Sequence, residues 1–182
     1  MDLKIPQFVT ATPADFVSFW SKQYRYDLEY LYDDNIGRPL TADRVWELYQ
    51  WKNGTEKMAE KKQQSIRTVY LVELTRIPVL KTLQEGRDYL ANLSGGAIWG
   101  IFWLHCVNPN LFPIFDQHTY RSMARIKDLP QAEIPSYRPK KVEAYFDLYI
   151  PFTRAFTSVI ARELDKALFA YGRFLKNGFS GK

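Results

Sequence analysis

Asp116 is the residue best placed in this sequence to do chemistry. It follows a short apolar loop, Phe112-Pro113-Ile114-Phe115, and precedes Gln117-His118-Thr119-Tyr120-Arg121, which has the polarity of an opening helix. An aspartate at such a junction caps the helix by accepting from unpaired backbone N–H groups, which hold the carboxylate in place as an anion. A carboxylate fixed at the edge of a cleft can stabilise developing positive charge or position and deprotonate a water. Upstream, Leu93-Ser94-Gly95-Gly96-Ala97-Ile98-Trp99-Gly100 reads as a helix end, a tight glycine turn and the start of an apolar helix. The competing readings are structural: a plain N-cap for Asp116 and an ordinary helix–helix turn for Gly95-Gly96.

The elements around these residues are helical. Thr12-Pro13-Ala14-Asp15 is a helix start, with a Thr cap, Pro in the first turn and an acid behind it. Thr41-Ala42-Asp43 opens a second helix that stops at Asn53-Gly54. Periodicity and breakers predict further helices over residues 56–76, 82–92, 96–107, 116–127, 140–149, 153–160 and 162–176, with Pro151 kinking or breaking the run. No alternating strand, repeat or low-complexity linker is present in the sequence. The expected fold is all-α, a compact two-lobed arrangement of roughly eight to ten helices. It forms one all-helical unit over 1–182, with possible lobes over 1–80 and 81–182.

Composition narrows the function classes. Hydrophobic residues make up 46% of 182 residues and charged residues 25%, ordinary for a globular chain and enough apolar material to exclude disorder. The lone Cys106 excludes a disulfide framework, an iron–sulfur cluster and a four-Cys zinc site. Two histidines, His105 and His118, are too few for a His-rich metal centre, so neither metal nor cofactor is expected. Met1-Asp2-Leu3-Lys4 is followed by no apolar signal segment, and the apolar stretch from Gly95 to Val107 is too short to span a bilayer. The expectation is a cytoplasmic protein with no membrane and no obligate protein partner. The net charge of +5 divides unevenly: residues 1–60 carry −3 and residues 61–182 carry +8. A basic surface suits a polyanion, although solvated helix faces account for the same charges.

The 93–126 stretch resembles the helix-hairpin-helix DNA glycosylase superfamily. In that family a Leu-Pro-Gly-Val-Gly-type hairpin precedes an apolar helix. A Phe-Pro-Ile-x-Asp loop follows, with the catalytic Asp at the next helix start and an Arg a few residues on. Here Leu93-Ser94-Gly95-Gly96-Ala97 matches the hairpin, Asp116 the catalytic carboxylate and Arg121 the Arg; the loop looks most like the branch with adenine-specific mismatch glycosylases. The resemblance covers about a fifth of the chain.

It implies a double-stranded DNA partner, gripped by the backbone of Ser94, Gly95, Gly96 and Ala97 and by Arg121, Arg125 and Lys127. It also implies base flipping into a pocket to which Trp99, Trp103 and His118 are candidate contributors. The hairpin departs from the family's Gly-x-Gly order. The slot of the Schiff-base lysine falls on Ile98 or Trp99, and no Lys occurs between Lys81 and Lys127. The implied activity is therefore monofunctional, without a Lys-dependent lyase step. The alternatives are a catalytically silent DNA-binding protein of the same fold and an all-helical interaction module.

Trp99 and Trp103 fit a helical core as well as a base pocket, since aromatic stripes pack inward. His118 fits the surface, His105 a satisfied core position, and Cys106 a small buried hydrophobe. Lys52 either faces the cleft or simply forms a cationic last turn; Arg138, Lys140 and Lys141 either touch phosphate or start a helix in solvent.

Overall fold

In the computed structural model, residues 11–178 are described; the Met1–Lys4 reading lies outside them. Helix α1 (Pro13–Trp20) opens on a reciprocal cap: the Thr12 hydroxyl accepts from the Asp15 N–H at 3.2 Å and the Asp15 carboxylate from the Thr12 N–H at 3.3 Å. Helix α2 (Glu29–Asp33) is short, has no side-chain cap and went unseen in the sequence. Helix α3 (Ala42–Asn53) starts on Thr41 and ends at Gly54, as the sequence predicts.

Helix α4 (60–76) and helix α8 (138–154) each contain a widened π turn, over Ile66–Tyr70 and Ala144–Tyr149. Helix α5 (Leu83–Asn92) carries the Thr82–Glu85 capping box. Helix α6 (Ala97–Val107), α7 (Gln117–Ile126) and α9 (Ala161–Gly178) complete nine helices, with no strand among the described residues. No described helix is long and apolar enough to cross a membrane.

Two expectations about the C-terminal third are corrected. Pro151 does not break its helix. The Ile150 N–H reaches back five residues to the Tyr145 carbonyl, and this wide turn absorbs the donor that Pro151 lacks. Residues 153–160 are not a helix. Helix α8 ends at Arg154, and the N–H groups of Ala155 and Phe156 close short turns onto Phe152 and Thr153. The apolar spacing of Phe156, Val159 and Ile160 serves instead to line a cavity of about 540 Å³.

Helix α6 is the centre of the molecule. It is apolar on every side, and Ala97 and Gly100–Cys106 are all buried. Around it pack α3, α5 and α8, while α7 and α9 form the most extensive helix pair. Much of the aromatic content is used here: Tyr49 stacks on Tyr70 at 4.4 Å, and Trp51 lies 5.6 Å from Phe102.

His105, on α6, joins distant parts of this core. Its Nδ1 lies 2.7 Å from the Phe112 carbonyl and its Nε2 2.8 Å from the Tyr32 hydroxyl. A carbonyl only accepts, so Nδ1 carries the proton and Nε2 accepts from Tyr32. The ring is neutral and fully satisfied, and burial holds its pKa at about 3. Replacement by Leu leaves a buried hydroxyl and carbonyl unpaired, and His105→Leu is expected to destabilise the protein by about 2 kcal/mol in chemical denaturation.

The variant also tests the pH profile. Unfolded His105 takes its proton near 6.5 and the folded one only near 3, so native stability drains as the pH falls through that window. Asp165 acts in the opposite sense. Burial raises its carboxyl from 3.8 to about 6, so the folded form protonates first and acidification between those values stabilises. His105→Leu is therefore expected to flatten or reverse the acid loss between about pH 6 and 4. An unchanged slope would show that His105 does not control it.

Candidate functional site

The loop before α7 is held from three sides. The Phe112 carbonyl accepts from His105 on α6, the Pro113 carbonyl from the Tyr145 hydroxyl on α8 at 2.9 Å, and the Phe115 carbonyl from the Lys52 ammonium on α3 at 3.1 Å. Every bond uses a donor that the core positions, so the loop delivers Asp116 to one place.

Asp116 is the N-cap of α7. Its Oδ1 accepts from the N–H groups of His118 at 2.8 Å and Thr119 at 3.0 Å, and the Thr119 hydroxyl lies 3.0 Å from the Asp116 nitrogen. The cap reading of Asp116 is therefore correct in geometry, but the cap uses only one carboxylate oxygen. The other, Oδ2, lies 3.9 Å from Lys52 Nζ; the lysine side chain is 6% exposed and the aspartate 23%. Burial draws the Lys52 ammonium below the ordinary lysine range, and the Asp116 charge opposes that shift.

A cavity of about 330 Å³ opens on this pair. Tyr24, Tyr26, Trp51, Trp99 and Phe169 give it aromatic walls, and Lys52, Asp116, His118 and Asp165 give it polar groups. Apolar walls with a few converging polar groups are the usual make-up of a small-ligand site. His118 packs edge-on to Phe169 at 4.9 Å, and burial holds it below the ordinary histidine range with Asp116 opposing. No family model, curated protein or solved structure matches the chain.

The structure gathers part of the sequence-predicted set. Asp116, Trp99 and His118 share the cavity. Trp103 does not: it is fully buried in the core, donating from Nε1 to the Tyr89 hydroxyl at 3.0 Å. Ser94, Gly95 and Gly96 form an exposed turn, with Gly95 at φ +95°, and Ala97 is buried as the first residue of α6. Gly96 caps α6 without a side-chain bond.

Arg138 fastens this turn from beneath, donating to the Leu90 carbonyl at 2.7 Å, to the Leu93 carbonyl at 2.8 Å and to that of Gly95. Arg138 does start a helix, α8, as one of its two readings had it, and its guanidinium serves the end of α5 and the glycine turn.

Arg125 and Lys127 are exposed at the end of α7. Arg121 is not. Its side chain is 10% exposed and its guanidinium is divided between Glu133 at 2.7 Å and the Gly172 carbonyl at 3.2 Å. The expected phosphate contact from Arg121 is corrected accordingly: the residue ties α7 to α9, because it lies on the face that α9 covers.

Asp165 and the walls Tyr24, Tyr26 and Phe169 were not singled out from sequence. Asp165 stands in the charged run Arg162-Glu163-Leu164-Asp165-Lys166 at the start of α9, which reads as a solvated helix face, so the sequence carried no signal for it.

Proposed function

We propose that the chain is a monofunctional DNA glycosylase-like enzyme that excises a damaged or modified base. The observation that carries this reading is an anchored carboxylate beside an aromatic-walled cavity: Asp116 holds its place through one oxygen and keeps the other for chemistry. The target base leaves the duplex stack and enters between flat aromatic faces, of which Trp99 is one. As the C1′–N bond lengthens, the base departs with the bonding electron pair and takes up a proton from solvent, to which Asp116 returns one at the end of the cycle. The sugar gains oxocarbenium-like charge, which the Asp116 carboxylate opposes. Water then adds its oxygen to C1′ and gives its proton to Asp116.

The exposed Ser94–Gly96 turn with Ala97, Arg125 and Lys127 supply contacts to the phosphates of double-stranded DNA, and the +8 charge of residues 61–182 supplies the wider field. Such a role belongs to base-excision DNA repair in the cytoplasm, where a lone buried thiol such as Cys106 stays reduced.

The test is a base-release assay over duplexes carrying a panel of lesions, with Asp116→Asn alongside. Release by the natural chain that the variant lacks supports the reading. Salt-dependent duplex binding with no release from any lesion favours the catalytically silent DNA binder, and no binding even at low salt favours the helical interaction module.

A further inference from the structure

The reaction proposed at Asp116 makes no use of the cavity of about 540 Å³. Its size is that of a small-ligand site, commonly about 300 to 1,000 Å³. Leu111, Pro113 and Ile114, from the loop before α7, form one wall, and Tyr149 of α8 with Leu164 and Leu168 of α9 form another. Ile114, Tyr149, Leu164 and Leu168 are buried, so the deep part of the cavity is apolar.

The polar groups along the deep walls are engaged with the protein. The Tyr32 hydroxyl and His105 bond each other at 2.8 Å, and the Thr153 hydroxyl donates to the Ile150 carbonyl at 2.9 Å. Arg162 and Asp165 are tied to each other, and their remaining unpaired atoms are shut off from solvent. A polar ligand group placed there would lose its hydration and find no partner, so this part takes hydrocarbon.

The mouth has the opposite character. Arg154 and Asn110 border the same cavity and are exposed, and neither makes a hydrogen bond or an ion pair among the described residues. Beside them Phe156 and Val159 are half-buried, and Ile160 is 73% exposed. The lining carries two guanidinium groups, Arg154 and Arg162, against one carboxylate, Asp165. The charge left over is the one at the mouth. A guanidinium meets a carboxylate through two parallel hydrogen bonds, and the Asn110 amide offers a further donor.

We propose that this cavity binds an apolar monocarboxylate, with its hydrocarbon body against Ile114, Leu164 and Leu168 and its carboxylate on Arg154. A phosphate dianion brings a second charge that the lining does not match, and an amine sets a like charge beside Arg154. The inference is independent of the glycosylase reading and survives its failure. A cation in the last turn of a helix also has a structural use against the helix end, so the test turns on the choice of headgroup.

The experiment is calorimetric titration of the full chain at neutral pH with octanoate, octanol and octylamine, which share a body and differ in headgroup. Octanoate is expected to bind about ten-fold more tightly than octanol, and octylamine more weakly than either. Arg154→Ala changes an exposed side chain and should bring octanoate down to the level of octanol while octanol binding stays as it was. Val159→Trp fills the mouth and should weaken both ligands. No binding of octanoate overturns the proposal, as does equal affinity for the three probes. Octanoate binding that is unchanged in Arg154→Ala, or that survives in a folded Val159→Trp, places the ligand elsewhere and overturns it too. If Val159→Trp fails to fold, the Arg154→Ala comparison decides alone.

Discussion

Asp116→Asn is expected to lower base release by about 10³-fold or more while the protein still folds. The amide keeps the acceptor that the helix needs: its Oδ1 takes the His118 and Thr119 N–H groups as the aspartate does, and Asn caps a helix about as well as Asp. What changes is the second oxygen, which becomes an N–H₂ donor facing Lys52, whose Nζ lies 3.9 Å from Asp116 Oδ2. The site then loses the anchored carboxylate that opposes oxocarbenium charge at C1′ in the proposed reaction, and Asp165 is its one remaining acid among the described residues. Lys52 keeps its bond to the Phe115 carbonyl but is left buried without its charged neighbour, so the stability cost is put at about 3 kcal/mol.

Single-turnover base release and a thermal melt read the two effects separately. A rate close to that of the natural chain removes Asp116 from the chemistry. Asp116→Ala is the useful companion, because it also gives up the cap, and its further loss in melting temperature measures the cap alone.

The sequence revealed Asp116 because local rules act on it: an apolar loop, a helix start and a cap lie within eight residues. Eight of the nine helices were legible in outline for the same reason, α2 being the exception. Thr12, Thr41 and Thr82 announce helix starts through their own side chains, and Asn53-Gly54 announces an end. What escaped depends on contacts between residues far apart in the chain. Lys52 reads as an ordinary cation in a last helical turn. Only the packing of α3 against the loop before α7 turns it into a buried partner of Phe115 and Asp116.

Arg162 and Asp165 stand three apart, a spacing that usually marks an exposed surface pair. The approach of Glu29 from α2, a helix with no sequence signature, makes them part of a buried network. Arg121 misled in the reverse direction. An Arg shortly after the candidate carboxylate suggested phosphate binding, yet residues 119–124 of α7 are all buried, which the spacing of so short a helix does not reveal. The aromatic content, 16% of the chain, is divided between core stacks such as Tyr49–Tyr70 and the five rings of the cavity wall, and composition does not separate the two uses.

Gly172→Ala is expected to destabilise the protein by about 3 kcal/mol or more, although glycine to alanine inside a helix ordinarily stabilises by 0.5–1 kcal/mol, roughly. The reason is the closeness of α7 and α9. A Cβ on Gly172 meets the His118 carbonyl oxygen at 2.0 Å, its carbonyl carbon at 2.5 Å and its Cα at 2.8 Å. All three are backbone atoms in the first turn of α7, so no side chain can rotate away. By contrast, a Cβ at Gly100 meets the end of the Leu90 side chain at 2.5 Å, which can shift, and Gly100→Ala is expected to cost less.

At Gly172 the helices must separate. Separation weakens the Arg121 bond to the Gly172 carbonyl at 3.2 Å and the Ser122 bond to the Leu168 carbonyl at 2.5 Å. It also moves His118 and the cap that fixes Asp116, so base release should fall along with stability. For a chain of this length the loss corresponds to a melting temperature lower by about 6–12 °C. A melting temperature that rises in Gly172→Ala would show that the two helices do not approach this closely, and with them the placement of Asp116 against α9 would have to be revised.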